Sequence, residues 1–291
     1  MCKEKVLLDT DIGTNIDDAA CLAYLLCQEC CELLGVTTVT GRAGRRAALA
    51  DALATSLGHD IPVCSGAEKP LLGDQVQTEA PQADLLKDRG LDYSFRNNRA
   101  VRFMREALSK NPGEVTILAV GPLTNVALLF ALERNLPNLA KRVVMMNGCF
   151  SEKKIETNAS LDPHAAAIVY GSEIQELWSI GFDVTRQCSV NREWMMEVFF
   201  QGQSNLLEDL VRSWWDGHEH MALHDPLAAA TIFRPDLCSY SKHGVEVELC
   251  EDGWKGRTSL VEPANNISTK IATGVDRAEF LQHYRRVLIS H

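Results

Sequence analysis

Leu7-Leu8-Asp9-Thr10-Asp11-Ile12-Gly13-Thr14-Asn15-Ile16-Asp17-Asp18 is the stretch on which the reading of this chain turns. Residues 5–8 are a short apolar run of strand character. From 16 to 28 the apolar residues Ile16, Ala19, Ala20, Ala23 and Leu26 fall largely at helical spacing. Asp9 and Asp11 thus stand just past a strand, and Asp17 and Asp18 in the first turn of a helix. In open α/β sheets ligands bind at that edge. Carboxylates crowded there repel one another, and a divalent cation removes the repulsion while keeping them ionised. All-oxygen ligation of this kind suits calcium better than magnesium. Helix capping covers part of the pattern, since Asn15 with Asp18 three positions on resembles an N-cap with an acidic N3 residue. It leaves Asp9 and Asp11 unexplained.

Working outward, strands are expected at 33–39, 61–64, 114–120, 142–146 and 177–182. Helices are expected at 45–57, 100–109, 123–132 and 163–170, with more helix running to about Asp216. Further strands are expected near 245–249 and 267–272, and a closing amphipathic helix at 276–289. Short buried strands alternating with helices imply an α/β fold with a mostly parallel central sheet flanked by helices. No Pro/Gly/Ser-rich linker interrupts the alternation, so one domain over 1–291 is expected. Residues 66–98 break the rhythm with a polar, weakly periodic stretch carrying Pro70 and Pro81 and a helical turn near 83–87. It reads either as a functional loop or as a surface excursion.

Composition narrows the function. With 29 Lys and Arg against 39 Asp and Glu, the formal charge is −10. A nucleic-acid binder needs clustered cations, so that class is disfavoured. Nothing approaches a membrane helix of about 18 apolar residues, and the start lacks an apolar signal core; a cytoplasmic protein is expected. The ten cysteines read as free thiols. Cys27-Gln-Glu-Cys30-Cys31 contains a CxxC, but no second pair follows at zinc spacing. Two familiar patterns can be tested on the aspartate stretch. An EF-hand loop from Asp9 needs Gly and Glu where Thr14 and Ala20 stand, and fails. A haloacid-dehalogenase-type phosphatase resembles Leu8-Asp9-Thr10-Asp11-Ile12-Gly13-Thr14, but the Asp17-Asp18 pair lies outside its pattern; it is the alternative enzyme.

Asp9-Thr10-Asp11-Ile12-Gly13-Thr14-Asn15-Ile16-Asp17-Asp18-Ala19 resembles the longer form of the signature of the inosine–uridine-preferring nucleoside hydrolase family. The resemblance continues at Gly35-Val36-Thr37-Thr38-Val39, Leu118-Ala119-Val120-Gly121-Pro122-Leu123-Thr124-Asn125 and Val144-Met145-Met146-Asn147-Gly148. It recurs at Glu156-Thr157-Asn158 and closes at Leu223-His224-Asp225-Pro226-Leu227-Ala228. It implies calcium-dependent cleavage of a nucleoside's N-glycosidic bond, in nucleoside salvage, by a homodimer or homotetramer. Asp11, Asp18, Asp225 and the Val120 carbonyl are implied as metal ligands, and Asp17, Glu156, Asn158 and Met146 as substrate contacts. Asp11 is the implied base, Asp9 a support from behind, and His224 the candidate acid for the departing base. A non-catalytic nucleoside- or sugar-binding protein is the alternative from another class; an intact Asp11, Asp18, Asp225 and His224 argues against it. Trp214 and Trp215 read as core or as stacking platforms, with core preferred.

Three departures from the family pattern concern substrate choice. Gly41-Arg42 stands where Gly-Asn is usual, the loop from Cys149 to Ile155 lacks an asparagine, and the 66–98 loop lacks a histidine. Arg42 is expected to place a cation near the sugar pocket, favouring an anionic sugar or nucleotide or pairing with an acid. Alternatively it lies with Arg45 and Arg46 on the outer turn of a helix.

Overall fold

The computed structural model describes residues 3–91, 95, 98–133, 135–215, 217–263 and 267–289. Strand β1 (Glu4–Thr10) lies between β2 (Cys31–Thr38) and β4 (Val115–Ala119), parallel to both. Period-2 alternation sends Val6 and Leu8 into one apolar layer and Leu7 into the other, and all three are fully buried. With β3 (Val63–Ser65), β5 (Ala140–Met145) and β6 (Leu177–Ser179), the sheet runs β3-β2-β1-β4-β5-β6, every pair parallel. The expected mostly parallel sheet is therefore present, and its order reverses between β1 and β4. The C-terminal ends of those two strands flank the crevice that doubly wound sheets use for ligands.

Helices α1 (Asp17–Cys27) and α2 (Ala43–Ser56), with His224–Phe233 and Arg277–Ile289, pack on the Val6/Leu8 face. Helices Ala100–Lys110, Thr124–Leu132 and Pro163–Tyr170 cover the other face. Beyond β6 the sheet is extended. A small separate ribbon pairs β7 (Ser189–Asn191) with β8 (His220–Ala222). Strands β9 (Cys238–Val247), β10 (Thr258–Val261) and β11 (Thr269–Val275) add the edge order β10-β9-β11, with β11 parallel to β6 and the other two pairings antiparallel.

The strand expected over 177–182 ends early at Ser179. Gly181 caps a helical turn, Phe182–Thr185, at a point where a Cβ would meet Asp183 Oδ1 at 2.7 Å. The continuous helix expected after it starts only beyond β7 and is interrupted at residues 200–204, leaving Arg192–Phe199 and Asn205–Trp215. Its expected end at Asp216 lies outside the described residues, as do the ends of the 1–291 domain and 92–94, 96 and 97 of the long loop. The turn expected near 83–87 is a 3-10 turn, Pro81–Asp84, followed by Leu85–Asp88. All the described cysteines are free. Among the described residues no helix is long and apolar enough to cross a membrane.

Candidate active site

Asp9 sits inside β1, not past it, and is fully buried. Thr37 Oγ1 donates to its Oδ1 at 2.6 Å and Asn125 Nδ2 at 2.8 Å, while Oδ2 has no partner among the described residues. Burial pushes its pKa up to about 7, against those two hydrogen bonds. One residue on, Thr10 Oγ1 donates to Asp18 and accepts from the Ile12 N–H at 3.1 Å, tying the strand end to the start of α1. Asp11 follows at the sheet edge beside Gly121, where a Cβ would lie 3.0 Å from Asp11 Oδ1 and 2.8 Å from Val39. A side chain at 121 would close this approach.

Helix α1 turns Asp17 and Asp18 inward, and the packed helix His224–Phe233 brings Asp225 in its own first turn. The carboxylates of Asp17, Asp18 and Asp225 converge, with ligand oxygens within 4.8 Å of one another. Asp11 adjoins them, and its charge helps raise the pKa of each. The trio thus contains Asp17, which the resemblance had implied as a sugar contact, where it had implied Asp11 as a ligand. The capping expectation fails: the N-cap is Ile16 without a side-chain bond, and Asn15 is exposed. The acids of the first turn face the cluster instead, Asp18 taking the Thr10 hydroxyl and Asp17 the Asp225 N–H.

Burial is the largest cause holding the pKa values of Asp11, Asp18 and Asp225 up, and it pushes Asp17 to about 7. Mutual repulsion adds to this. The only fully buried Lys or Arg among the described residues is Arg46. One guanidinium against this many buried carboxylates leaves the pocket strongly negative. Hard oxygen donors with an excess of negative charge fit a hard divalent cation.

The opposite wall comes from β4, β5 and the segment after it. Asn158 Nδ2 donates to the carbonyls of Val120 (2.8 Å) and Met146 (3.0 Å), with Met146 Sδ at 3.7 Å. Glu156 caps the helix Thr157–Leu161, accepting from the N–H groups of Asn158 (2.6 Å), Ala159 (2.9 Å) and Gly148 (3.2 Å). Burial nevertheless lifts its pKa to about 7. His224 pairs through Nδ1 with Thr185 Oγ1 at 2.7 Å and stacks on Phe182 with ring centroids 5.5 Å apart. Lys154, in the segment after β5, lays its ammonium 3.9 Å from the centre of the same Phe182 ring. Burial first, then Lys154, lowers the pKa of His224 to about 4, so the ring is neutral near pH 7.

The long loop forms the third wall. Gln75 Nε2 donates to Thr40 Oγ1 (2.6 Å), and Gln77 Nε2 to Thr14 Oγ1 (2.8 Å). The Gln82 N–H reaches the Gly13 carbonyl (3.0 Å), and Arg45 reaches Ala83 and Asp84. Gly41 makes room for it, since a Cβ there would lie 2.1 Å from the Gln77 carbonyl. Thr40 and Arg42 flank that glycine at φ 60° and 54°, left-handed values that cost about 1–2 kcal/mol per residue. Strain of this kind gathers at functional sites. The loop packs against the turns that carry the aspartates instead of standing clear of them.

Arg42 itself is exposed, and its guanidinium meets Glu79 at 3.4 Å. It borders a cavity of about 810 Å³ shared with Arg45, Lys69 and Asn98. Arg46, expected with it on the outer turn, is fully buried. Nε donates to the carbonyls of Thr40 (3.1 Å) and Gly41 (2.8 Å), and Nη1 to Asp11, Ile12 (3.1 Å) and Thr14 Oγ1 (2.9 Å). Nη2 reaches Glu79 (2.8 Å). The signal was present: Arg46 shares a helix face with Ala43, Leu49, Ala50 and Leu53, all buried. Gln77 and Thr185 carried no such signal. Trp214 and Trp215 are half-buried at the edge of the core. Trp214 stacks on His218 at 3.7 Å beside a cavity of about 570 Å³ that Thr14 also lines.

Known proteins resemble this chain in sequence and in fold. The family model described as inosine-uridine preferring nucleoside hydrolase matches residues 6–282. Uridine nucleosidase 1 of Arabidopsis thaliana is 32% identical over 266 residues, covering 84% of this chain and 78% of the relative. The non-specific ribonucleoside hydrolase RihC of Escherichia coli O9:H4 (strain HS) is 31% identical over 308 aligned positions, covering 97% of each. Among solved structures, a plant nucleoside hydrolase superposes with a TM-score of 0.82 at 25% identity, covering 99% of both chains.

Proposed function

This chain belongs to the inosine-uridine preferring nucleoside hydrolase family, and from that premise we propose that it hydrolyses the N-glycosidic bond of ribonucleosides with calcium as its metal. The observation that carries the reading is the convergence of Asp17, Asp18 and Asp225 beside Asp11 at the reversal point of the sheet. Asp11, Asp18, Asp225 and the Val120 carbonyl would hold the ion, with Asp17 close enough to join them or to take a sugar hydroxyl. Once bound, calcium would neutralise the cluster and polarise what it holds.

The chain's own groups do the rest. Cleavage passes through a sugar with oxocarbenium character, which the surrounding carboxylates stabilise. Asp11 takes a proton from the attacking water. Glu156, Asn158 and Met146 bound the sugar on the β5 side, with Glu156 already fixed by three backbone donors. His224 is neutral and oriented by Thr185; with the Thr185 hydroxyl donating to Nδ1, its Nε2–H donates a hydrogen bond to the departing base, which takes its proton from solvent. Arg42 and the cavity beside it are the place for an anionic substituent. The region acts as one domain, and light scattering on the purified protein tests for the dimer or tetramer.

The phosphatase alternative is weakened by Asp9. The residue that opens its Asp-x-Asp pattern is sealed from solvent and held by Thr37 and Asn125. The deciding experiment is a reducing-sugar assay over a nucleoside panel, with and without chelator. Ribose release that chelation stops and calcium restores is expected. No release from any nucleoside refutes the proposal, phosphate release without ribose would favour the phosphatase, and ligand binding without turnover the binding protein.

A further inference from the structure

The segment 149–155, where the sequence departs from the family pattern, is docked at several points. Thr258 Oγ1 accepts from the Cys149 N–H at 2.9 Å and donates to the Cys149 carbonyl at 3.0 Å. The Ser151 N–H donates to Asp183 Oδ2 at 3.1 Å, and Arg186 Nη1 donates to Glu152 at 3.1 Å. Asp183 lies in the helical turn Phe182–Thr185, and Arg186 is its C-cap. These contacts seat the segment on that turn and lay the Lys154 ammonium 3.9 Å from the centre of the Phe182 ring. Glu152 is occupied by Arg186, and Lys154 has no carboxylate partner among the described residues. Phe182 also stacks on His224, with ring centroids 5.5 Å apart and the planes inclined by 23°. The same turn provides Thr185, whose hydroxyl fixes His224 Nδ1 at 2.7 Å. An aromatic face attracts a cation and is polarised by it. One ring thus joins an exposed ammonium to the imidazole beside Asp225.

We propose that Lys154, acting through Phe182, is a positioning residue for departure of the base: it holds the Phe182–His224 stack and sets a positive charge behind the His224 Nε2–H. The inference rests on the hydrolase reading above. As the water oxygen bonds to the anomeric carbon, one water proton passes to Asp11 and the other stays on the new sugar hydroxyl. The C–N bond breaks and its electron pair leaves with the base. Negative charge therefore develops on the base in a pocket already crowded with carboxylates. The buried cation Arg46 is committed to the Asp11–Thr14 turn and the long loop, whereas Lys154 stands on the His224 side. A fixed positive charge there strengthens the hydrogen bond from Nε2–H most when the base carries its negative charge, which is in the transition state. Neither His224 nor Lys154 gives up a proton; solvent protonates the released base.

The test compares wild type, Lys154→Met, Lys154→Arg, Phe182→Leu and the Lys154→Met/Phe182→Leu double variant. Single-turnover rates are measured on the nucleosides the wild type cleaves and on p-nitrophenyl riboside, arranged by the acidity of the leaving group. Methionine keeps an apolar stem over the ring and removes only the charge. Lys154→Met should slow the poorest leaving group by about five- to thirtyfold and leave the most acidic one within about twofold, because an activated leaving group needs no assistance. Lys154→Arg keeps a cation over the ring and should restore most of the rate. Phe182→Leu should show the same dependence on the leaving group, and the double variant should be no slower than Phe182→Leu alone. The inference is overturned if Lys154→Met keeps the nucleoside rate, or if it loses equally on every leaving group. It is equally overturned if Lys154→Arg is as slow as Lys154→Met, or if the losses add in the double variant. A wild type inactive on every nucleoside would instead refute the hydrolase reading.

Discussion

Replacing Arg46 with methionine removes the one buried cation from the acidic centre while nearly keeping the side-chain length. Six acceptors depend on that guanidinium: the carbonyls of Asp11, Ile12, Thr40, Gly41 and Glu79 and the Thr14 hydroxyl. They belong to the β1–α1 turn, the β2–α2 turn and the long loop, so the variant loosens those three segments at once. Its charge also lowers the pKa of Asp11 and Asp18, against the burial that raises them. Removing one partner of a buried charge cluster is destabilising by about 3–5 kcal/mol. For a chain of this size about 2–4 °C accompanies each kcal/mol, so calcium-free Arg46→Met should melt roughly 10 °C below wild type. Arg46→Lys keeps the charge but reaches fewer acceptors, and should fall between. On the proposed calcium reading, ion binding to the folded state adds stability through linkage and takes over the missing neutralisation. Saturating calcium should therefore raise the melting temperature of Arg46→Met more than that of wild type. Differential scanning fluorimetry with and without chelator measures both. A calcium-free melting temperature within about 2 °C of wild type would refute the view that Arg46 compensates the cluster.

Asp225→Asn removes a charge from the converging trio and should lower turnover by at least about a thousandfold and weaken calcium binding, as followed by calorimetry; unchanged calcium affinity would remove Asp225 from the metal site. The metal-free protein should lose stability as pH rises from about 4 to about 7. Asp9, Asp17 and Glu156 have folded pKa values raised to about 7, so the folded state keeps protons there that the unfolded chain releases. Urea unfolding across that window, in chelator, should show the decline, and calcium should flatten it; a stability that rises across the window would contradict the raised values. Arg42→Asn should lower the rate on nucleoside 5′-phosphates relative to the parent nucleosides if the cavity beside it takes an anion, and equal losses on both would confine Arg42 to holding Glu79.

The sequence was most legible where one physical demand fixes the residues. Strands buried on both faces must be continuously apolar, and β1, β4 and β5 were found for that reason. The helix Pro163–Tyr170 was placed to the residue because Asp162 caps it through Ala165 N and a proline opens it. Strand β8 and the Ala-rich helix His224–Phe233 escaped because three residues make no period, and a helix buried nearly all round has no polar face to mark it. The same logic separates the site residues. Four aspartates in one short segment declare themselves, because only a cation or a protein full of strain tolerates them.

The burial of Arg46 was readable from its helix face, but its partners, like those of Gln77, were hidden, and the reason bears on how the site works. Each acts on backbone or side-chain groups far away in sequence: Arg46 spans 32 to 35 residues to the Asp11–Thr14 turn, and Gln77 spans 63 to Thr14. No local spacing encodes such contacts. The Gly13–Ile16 segment is a turn that carries Asp11 at one end and Asp17 at the other. An unheld turn is free to shift, and catalytic geometry is lost over fractions of an ångström. Arg46 Nη1 and Gln77 Nε2 both donate to the Thr14 hydroxyl in the middle of that turn. The turn between Asp11 and Asp17 is thereby held at its middle by a buried cation and an amide.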